Sequence, residues 1–109
     1  MSLIIIYYRR YSQLAKLIRD KFIDSYVIPY IDKDNNEVYH YMGIYDYAIF
    51  FDLRRKSDNE LKLIVISAYE LDEWGTTTLP TGKRIRARYI ATLRLNGETY
   101  FGHKKKRRP

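Results

Sequence analysis

Two runs of nine residues constrain this chain more than any other feature. Tyr45 to Leu53 and Leu61 to Tyr69 are dominated by aromatic and β-branched side chains, the types that pack best on a pleated, half-buried surface. The polar stretch Lys56-Ser57-Asp58-Asn59-Glu60 separates them. The chain therefore turns back, and the two runs are predicted to form the central antiparallel pair of a sheet.

The flanking segments supply the rest of a layered fold. Leu3 to Tyr8 is a short strand-like run bounded by Arg9 and Arg10. Leu14, Leu17, Ile18, Lys21 and Phe22 recur at helical spacing, which predicts a helix over Ser12 to Asp24 with Ser12 as its cap. Tyr26–Ile31 and Val38–Tyr41 flank a turn-rich stretch and read as a hairpin, with Pro29 pointing to an edge strand. An irregular loop is expected over Asp72 to Gly82. Beyond it Ile85, Ala87, Tyr89, Ala91, Leu93 and Leu95 alternate with more polar neighbours, which predicts a long strand with Tyr89 on its buried face. Asn96-Gly97 would be a hairpin turn and Glu98 to Phe101 the return strand. The expected architecture is α+β: one N-terminal helix packed on a mostly antiparallel sheet of five to six strands, with residues 1–102 as one domain and 103–109 as a basic tail.

Composition narrows the function. At 109 residues and 46% apolar content the chain suits one core. It contains no Cys, which excludes disulfide scaffolds, thiol nucleophiles and cysteine-ligated metals, and fits a reducing compartment, the cytoplasm. The net charge is +7, unevenly placed: residues 1–82 carry −2 and residues 83–109 carry +9. A concentrated positive field attracts polyanions and releases their counterions on contact. Nucleic acid is thus the expected partner. A membrane is not, because these residues do not lie on a helix with a strongly apolar opposite face. The opening Met-Ser-Leu-Ile-Ile-Ile is also shorter than a signal core or a membrane span.

Several side chains are candidates for that contact. If the final strand is extended, Arg84, Arg86 and Arg88 project from one face at a repeat of about 6.5–7 Å, each able to grip a phosphate with its planar fork. Lys104, Lys105, Lys106, Arg107 and Arg108 add a basic tail, and Trp74 in the loop offers a stacking surface. Twelve Tyr on or near such a face would stack unpaired bases, which favours RNA or single strands over duplexes. For metal-independent RNA cleavage the available residue types are His40, Tyr69, Glu70, Arg86 and Arg88, of which His40, Glu70, Arg86 and Arg88 are the candidates to surround one phosphate. Glu70 and Asp72, sharing a face at i, i+2, are a minor alternative for holding Mg²⁺ together with Asp52, but a third clear ligand is lacking and no cofactor is expected. Gly-rich phosphate loops, nucleophile elbows and zinc-binding helices are absent from the sequence. A third class is a non-catalytic protein that docks on a host protein through its Tyr and Arg surface.

The segment Tyr45-Asp46-Tyr47-Ala48-Ile49-Phe50-Phe51-Asp52-Leu53-Arg54-Arg55, followed by Leu61 to Leu71 ending in Ser67-Ala68-Tyr69-Glu70-Leu71, resembles the paired central strands of small toxin-like ribonucleases of the barnase, EndoU, colicin and RelE assemblage. That resemblance implies a helix packed on a curved antiparallel sheet whose concave face binds RNA. In style the chain is also similar to small proteins of archaeal filamentous viruses, being short, rich in Ile and Tyr, free of Cys and charged at one end. This second likeness implies a viral protein acting in the cytoplasm of an infected host.

Overall fold

Among the described residues six strands form one sheet, and two α-helices lie on one of its faces. In order these are β1 (Ser2–Ile6), α1 (Ser12–Lys21), β2 (Tyr26–Ile31), β3 (Glu37–Ile44), β4 (Tyr47–Ser57), β5 (Glu60–Glu70), β6 (Ile85–Arg86) and α2 (Ala87–Leu95). The structure is a computed structural model and describes residues 2–31, 33–34, 37–45, 47–70 and 82–99. The strand order is β1-β5-β4-β3-β2-β6. Every neighbouring pair is antiparallel except β1 with β5. The fold is therefore α+β, with the N-terminal helix on a mostly antiparallel sheet.

The long hairpin expected from the two β-rich runs is β4 with β5, turning at Asp58-Asn59 between the paired Ser57 and Glu60. Its covered face carries Ile49, Phe51, Leu53, Leu61, Leu63 and Val65, all essentially removed from solvent. Helix α1 meets that face with Leu14 and Ile18, and Phe22, in the 3-10 turn Phe22–Asp24 that follows directly, continues the four-residue repeat on the same side. The Phe22 ring packs edge-on against Phe51 at 5.8 Å. Ser12 does not cap the helix. The preceding 3-10 turn Arg9–Tyr11 runs straight into it and Tyr11 takes the cap position, with no side-chain hydrogen bond there. Pro29 lies opposite His40 on β2, and β6 pairs only with Tyr26 and Val27. The ring thus faces no ladder on its far side, as an amide without N–H requires.

The last element corrects the sequence reading. Residues 87–95 form a helix, and the strand before it is two residues long. Alternation and helical spacing share Ala87 and Ala91, so both periods fit the apolar residues. In the rest of the segment Arg and Leu favour a helix while Thr, Tyr and Ile do not, so packing of Ala87, Ile90 and Ala91 into the core decides. Ile90, assigned to the polar side by alternation, is buried, whereas Tyr89, assigned to the core, is nearly half exposed. Asn96-Gly97 ends this helix and makes no hairpin turn. Gly97 adopts φ +74°, its N–H donates to the Arg94 carbonyl, and the Glu98 N–H donates to Leu93, the pair of bonds of a Schellman C-cap. Glu98 and Thr99 carry no strand; the remainder of the expected return strand lies outside the described residues.

Among the described residues the ladders carry three register shifts; the one between Arg55 and Ser57 lies beside the β4–β5 turn, and the other two decide which side chains share a face farther into the sheet. Between β2 and β3 the register runs Tyr30 opposite Tyr39, then Ile31 opposite Glu37, leaving Val38 as the extra residue. Glu37, an odd number of positions from His40, is thereby turned to the same covered face as His40. Between β4 and β5, Phe50 pairs with Ser67 and Phe51 with Val65, leaving Ile66 unpaired. Beyond that point Ser67 and Tyr69 turn to the outer face, and Ala68 takes the inward position.

Candidate functional site

The outer face of the sheet carries a row of aromatic rings. Ile28 lies opposite Tyr41, Tyr41 opposite Phe50, and Phe50 opposite Ser67; beside them Tyr30 lies opposite Tyr39 and Ala48 opposite Tyr69. Side chains directly opposed across a ladder share a face. The rings touch: Tyr30 stacks on Tyr39 at 4.7 Å, and Phe50 meets Tyr39, Tyr41 and Tyr69 at 6.2, 5.3 and 6.0 Å. Tyr39, Phe50, Ile66, Ser67 and Tyr69 line a shallow recess in this face. The Tyr41 hydroxyl lies over Gly43, where a Cβ would stand 3.3 Å from it.

Cations border the rings. Tyr26, two residues before Ile28, faces the same side, and Arg86 is its ladder partner on β6. The Arg84 and Arg86 guanidinium groups lie 5.5 and 5.1 Å from the centre of the Tyr26 ring. Each such contact contributes about 0.5–1 kcal/mol at an exposed site. Its larger effect is to hold both forks in place before any ligand arrives. Neither arginine forms an ion pair with a carboxylate among the described residues. Burial pushes the Tyr41 phenol above its usual range, and nearby Tyr69 adds to that, while Arg84 works in the opposite direction. The hydroxyl therefore stays protonated and available as a donor.

On the covered face lies a different cluster. The His40 Nε2–H donates to Glu37 Oε2 at 2.7 Å, and Arg94 of α2 binds Glu37 Oε1 at 2.7 Å. With Nε2 committed to Glu37, the approach of Arg94 to that nitrogen at 3.3 Å is donor beside donor. Arg94 also donates through Nε to the Leu53 carbonyl at 2.8 Å and through a terminal nitrogen to the Glu98 carbonyl at 3.1 Å. His40 and Glu37 side chains are fully buried. His40 stacks against Phe51 at 5.2 Å, and its Nδ1 has no hydrogen-bond partner among the described residues. This cluster clamps α2 to the sheet and is closed to a polymeric substrate.

The residues singled out in the sequence are thus dispersed. Arg84 and Arg86 keep their two-residue spacing on the outer face, but Arg88 sits on α2 and reaches Asp24 at 3.3 Å, so the three do not form one ladder. His40 is on the opposite side of the sheet from Arg86. Glu70 ends β5 and accepts a hydrogen bond from the Tyr47 hydroxyl at 3.4 Å, while Asp52 is held by Arg54 at 2.7 Å. The structure does not bring His40, Glu70, Arg86 and Arg88 around one phosphate. Trp74, Asp72 and Lys104, Lys105, Lys106, Arg107 and Arg108 lie outside the described residues. Sequence reasoning missed Tyr26 and Phe50 as site residues. Phe50 was legible as the outward member of the alternation Ile49-Phe50-Phe51, whereas Tyr69 faces outward only because of the bulge at Ile66. Comparison with protein-family models, with curated proteins and with solved structures finds no match for the chain.

Proposed function

We propose that the outer sheet face binds single-stranded nucleic acid, RNA or DNA with unpaired bases. The observation that carries this reading is the juxtaposition of a connected aromatic row, Tyr30, Tyr39, Phe50 and Tyr69, with two arginines held over Tyr26 at its border. Aromatic platforms stack bases of any sequence at roughly 1–3 kcal/mol per base, and neighbouring guanidinium groups take the phosphates. A duplex hides its base faces and gains nothing from such rings. The proposed role is binding; no chemical step is assigned to His40, which is enclosed on the other face.

The test is fluorescence anisotropy with a labelled single strand and with the same sequence as a duplex. Single-strand affinity is expected to exceed duplex affinity and to fall by orders of magnitude between about 50 and 200 mM salt. Tyr39→Ala or Phe50→Ala should weaken binding with little change in salt slope. Arg84→Ala with Arg86→Ala should lower the slope by about 1.4, the value for two single-strand phosphates. Equal affinity for duplex and single strand would refute the stacking account. No oligonucleotide binding at all would return this face to the protein-docking reading.

A further inference from the structure

The opposite border of the same face repeats the arrangement of tyrosine and paired arginines. Just past β1, Tyr8 is two-thirds exposed, and the Arg10 guanidinium lies 5.9 Å from its ring and 4.9 Å from that of Tyr11. Arg9 stands beside them, and Tyr8, Arg9 and Arg10 line one recess. Like Arg84 and Arg86, Arg9 and Arg10 form no ion pair with a carboxylate among the described residues.

The surface between the two borders is continuous. Tyr8 also lines an apolar recess with Ile6, Ile64 and Ile66. Ile6 and Ile64 are ladder partners on the outer face, and Ile66 in turn lines the aromatic recess with Phe50 and Tyr69. Tyr41 carries the row on towards Arg84, whose charge it feels. From β1 to β6 the sheet has five inter-strand intervals, about 24 Å at roughly 4.8 Å each.

We infer that Tyr8, Arg9 and Arg10 form a second phosphate-binding site, and that one extended single strand crosses the sheet perpendicular to its strands, anchored by an arginine pair at each border. This rests on the proposed single-strand reading and adds its direction and length. The line from Tyr8 through Ile64, Ile66 and Phe50 to Tyr41 is apolar and aromatic; Asp52, opposite Ile64 and neutralised by Arg54 at 2.7 Å, and Lys62 share the outer face beside it. Such a line complements a ligand whose bases lie on the floor and whose backbone charge is gripped at the borders. The span fits on the order of four to five nucleotides, the lower end of site sizes on sheet platforms of this kind.

The experiment measures affinity and salt slope for homopolymer single strands from roughly two to roughly eight nucleotides, with the full chain and with Arg9→Ala/Arg10→Ala. These side chains are exposed, and far-UV circular dichroism checks that the variant stays folded. Affinity is expected to climb with length to about five nucleotides and then level off. The double substitution should weaken the longer strands by about tenfold or more at about 50 mM salt and cut their slope by about 1.4. The shortest strands, satisfied at the Arg84–Arg86 border, should bind it as before. If the variant keeps the parent affinity and slope on every length while Arg84→Ala/Arg86→Ala weakens them, the second site is refuted and the single-strand reading stands. If the unsubstituted chain binds no strand of any length, both fall.

Discussion

Replacing Arg94 by Met should be among the most damaging single changes in this protein, although it alters one side chain at the end of a short helix. Arg94 is about nine-tenths buried and Glu37 wholly so, with 2.7 Å between them. Removing the guanidinium strands a buried carboxylate, for which the cost is about 3–5 kcal/mol. The Leu53 and Glu98 carbonyls lose their donor at the same time. For a domain near 100 residues, about 4 kcal/mol corresponds to a fall in Tm of roughly 15–30 °C. Urea unfolding followed by circular dichroism should show a lower midpoint with an unchanged m value. The double variant Glu37→Met/Arg94→Met removes both charges and fills similar volume, so it should recover about 2 kcal/mol or more relative to the sum of the two single changes. A loss below about 1 kcal/mol for Arg94→Met, or strict additivity in the double variant, would show that the pair is not the clamp described here.

Three further outcomes are expected from the backbone. Tyr45 occupies a left-handed conformation, φ +53°, at the turn between β3 and β4, where a bulky side chain is strained. Tyr45→Gly should raise stability by about 0.5–1 kcal/mol in urea unfolding, net of the contact between its ring and Lys21. Gly97→Ala has open space around its Cβ but the wrong hand at φ +74°, so it should cost about 1 kcal/mol by the same measurement. Deleting Val38 removes the bulge that turns Glu37 inward. The shortened chain should lose at least the cost of the broken pair, about 3 kcal/mol, and hydrogen exchange should accelerate in α2 before β4 and β5.

Much of the frame was legible in the residue order. Side chains on β4 and β5 alternate or run apolar wherever they meet the helices, and a spacing of four puts Leu14 and Ile18 of α1 and Phe22 of the turn after it on one side. These are local periodicities, and local sterics set them. The segment from Ile85 to Leu95 was not legible. Its apolar positions satisfy the periods of both a strand and a helix, and only the space available over β4 makes burial of Ala87, Ile90 and Ala91 the better choice. The row of three arginines dissolved with that strand, while Arg84 and Arg86 survived as a pair because β6 is still extended where it meets Tyr26. On its own the sequence determined the extended segments up to Glu70, where the N-terminal helix lies and that positive charge gathers late in the chain, because these follow from short-range geometry and composition. Only the tertiary structure decided that Tyr69 joins Phe50 on the outward face and which cations reach the rings. One extra residue at Val38 and one at Ile66 reverse the facing of everything beyond, and a bulge is specified by pairing between strands that no single strand contains.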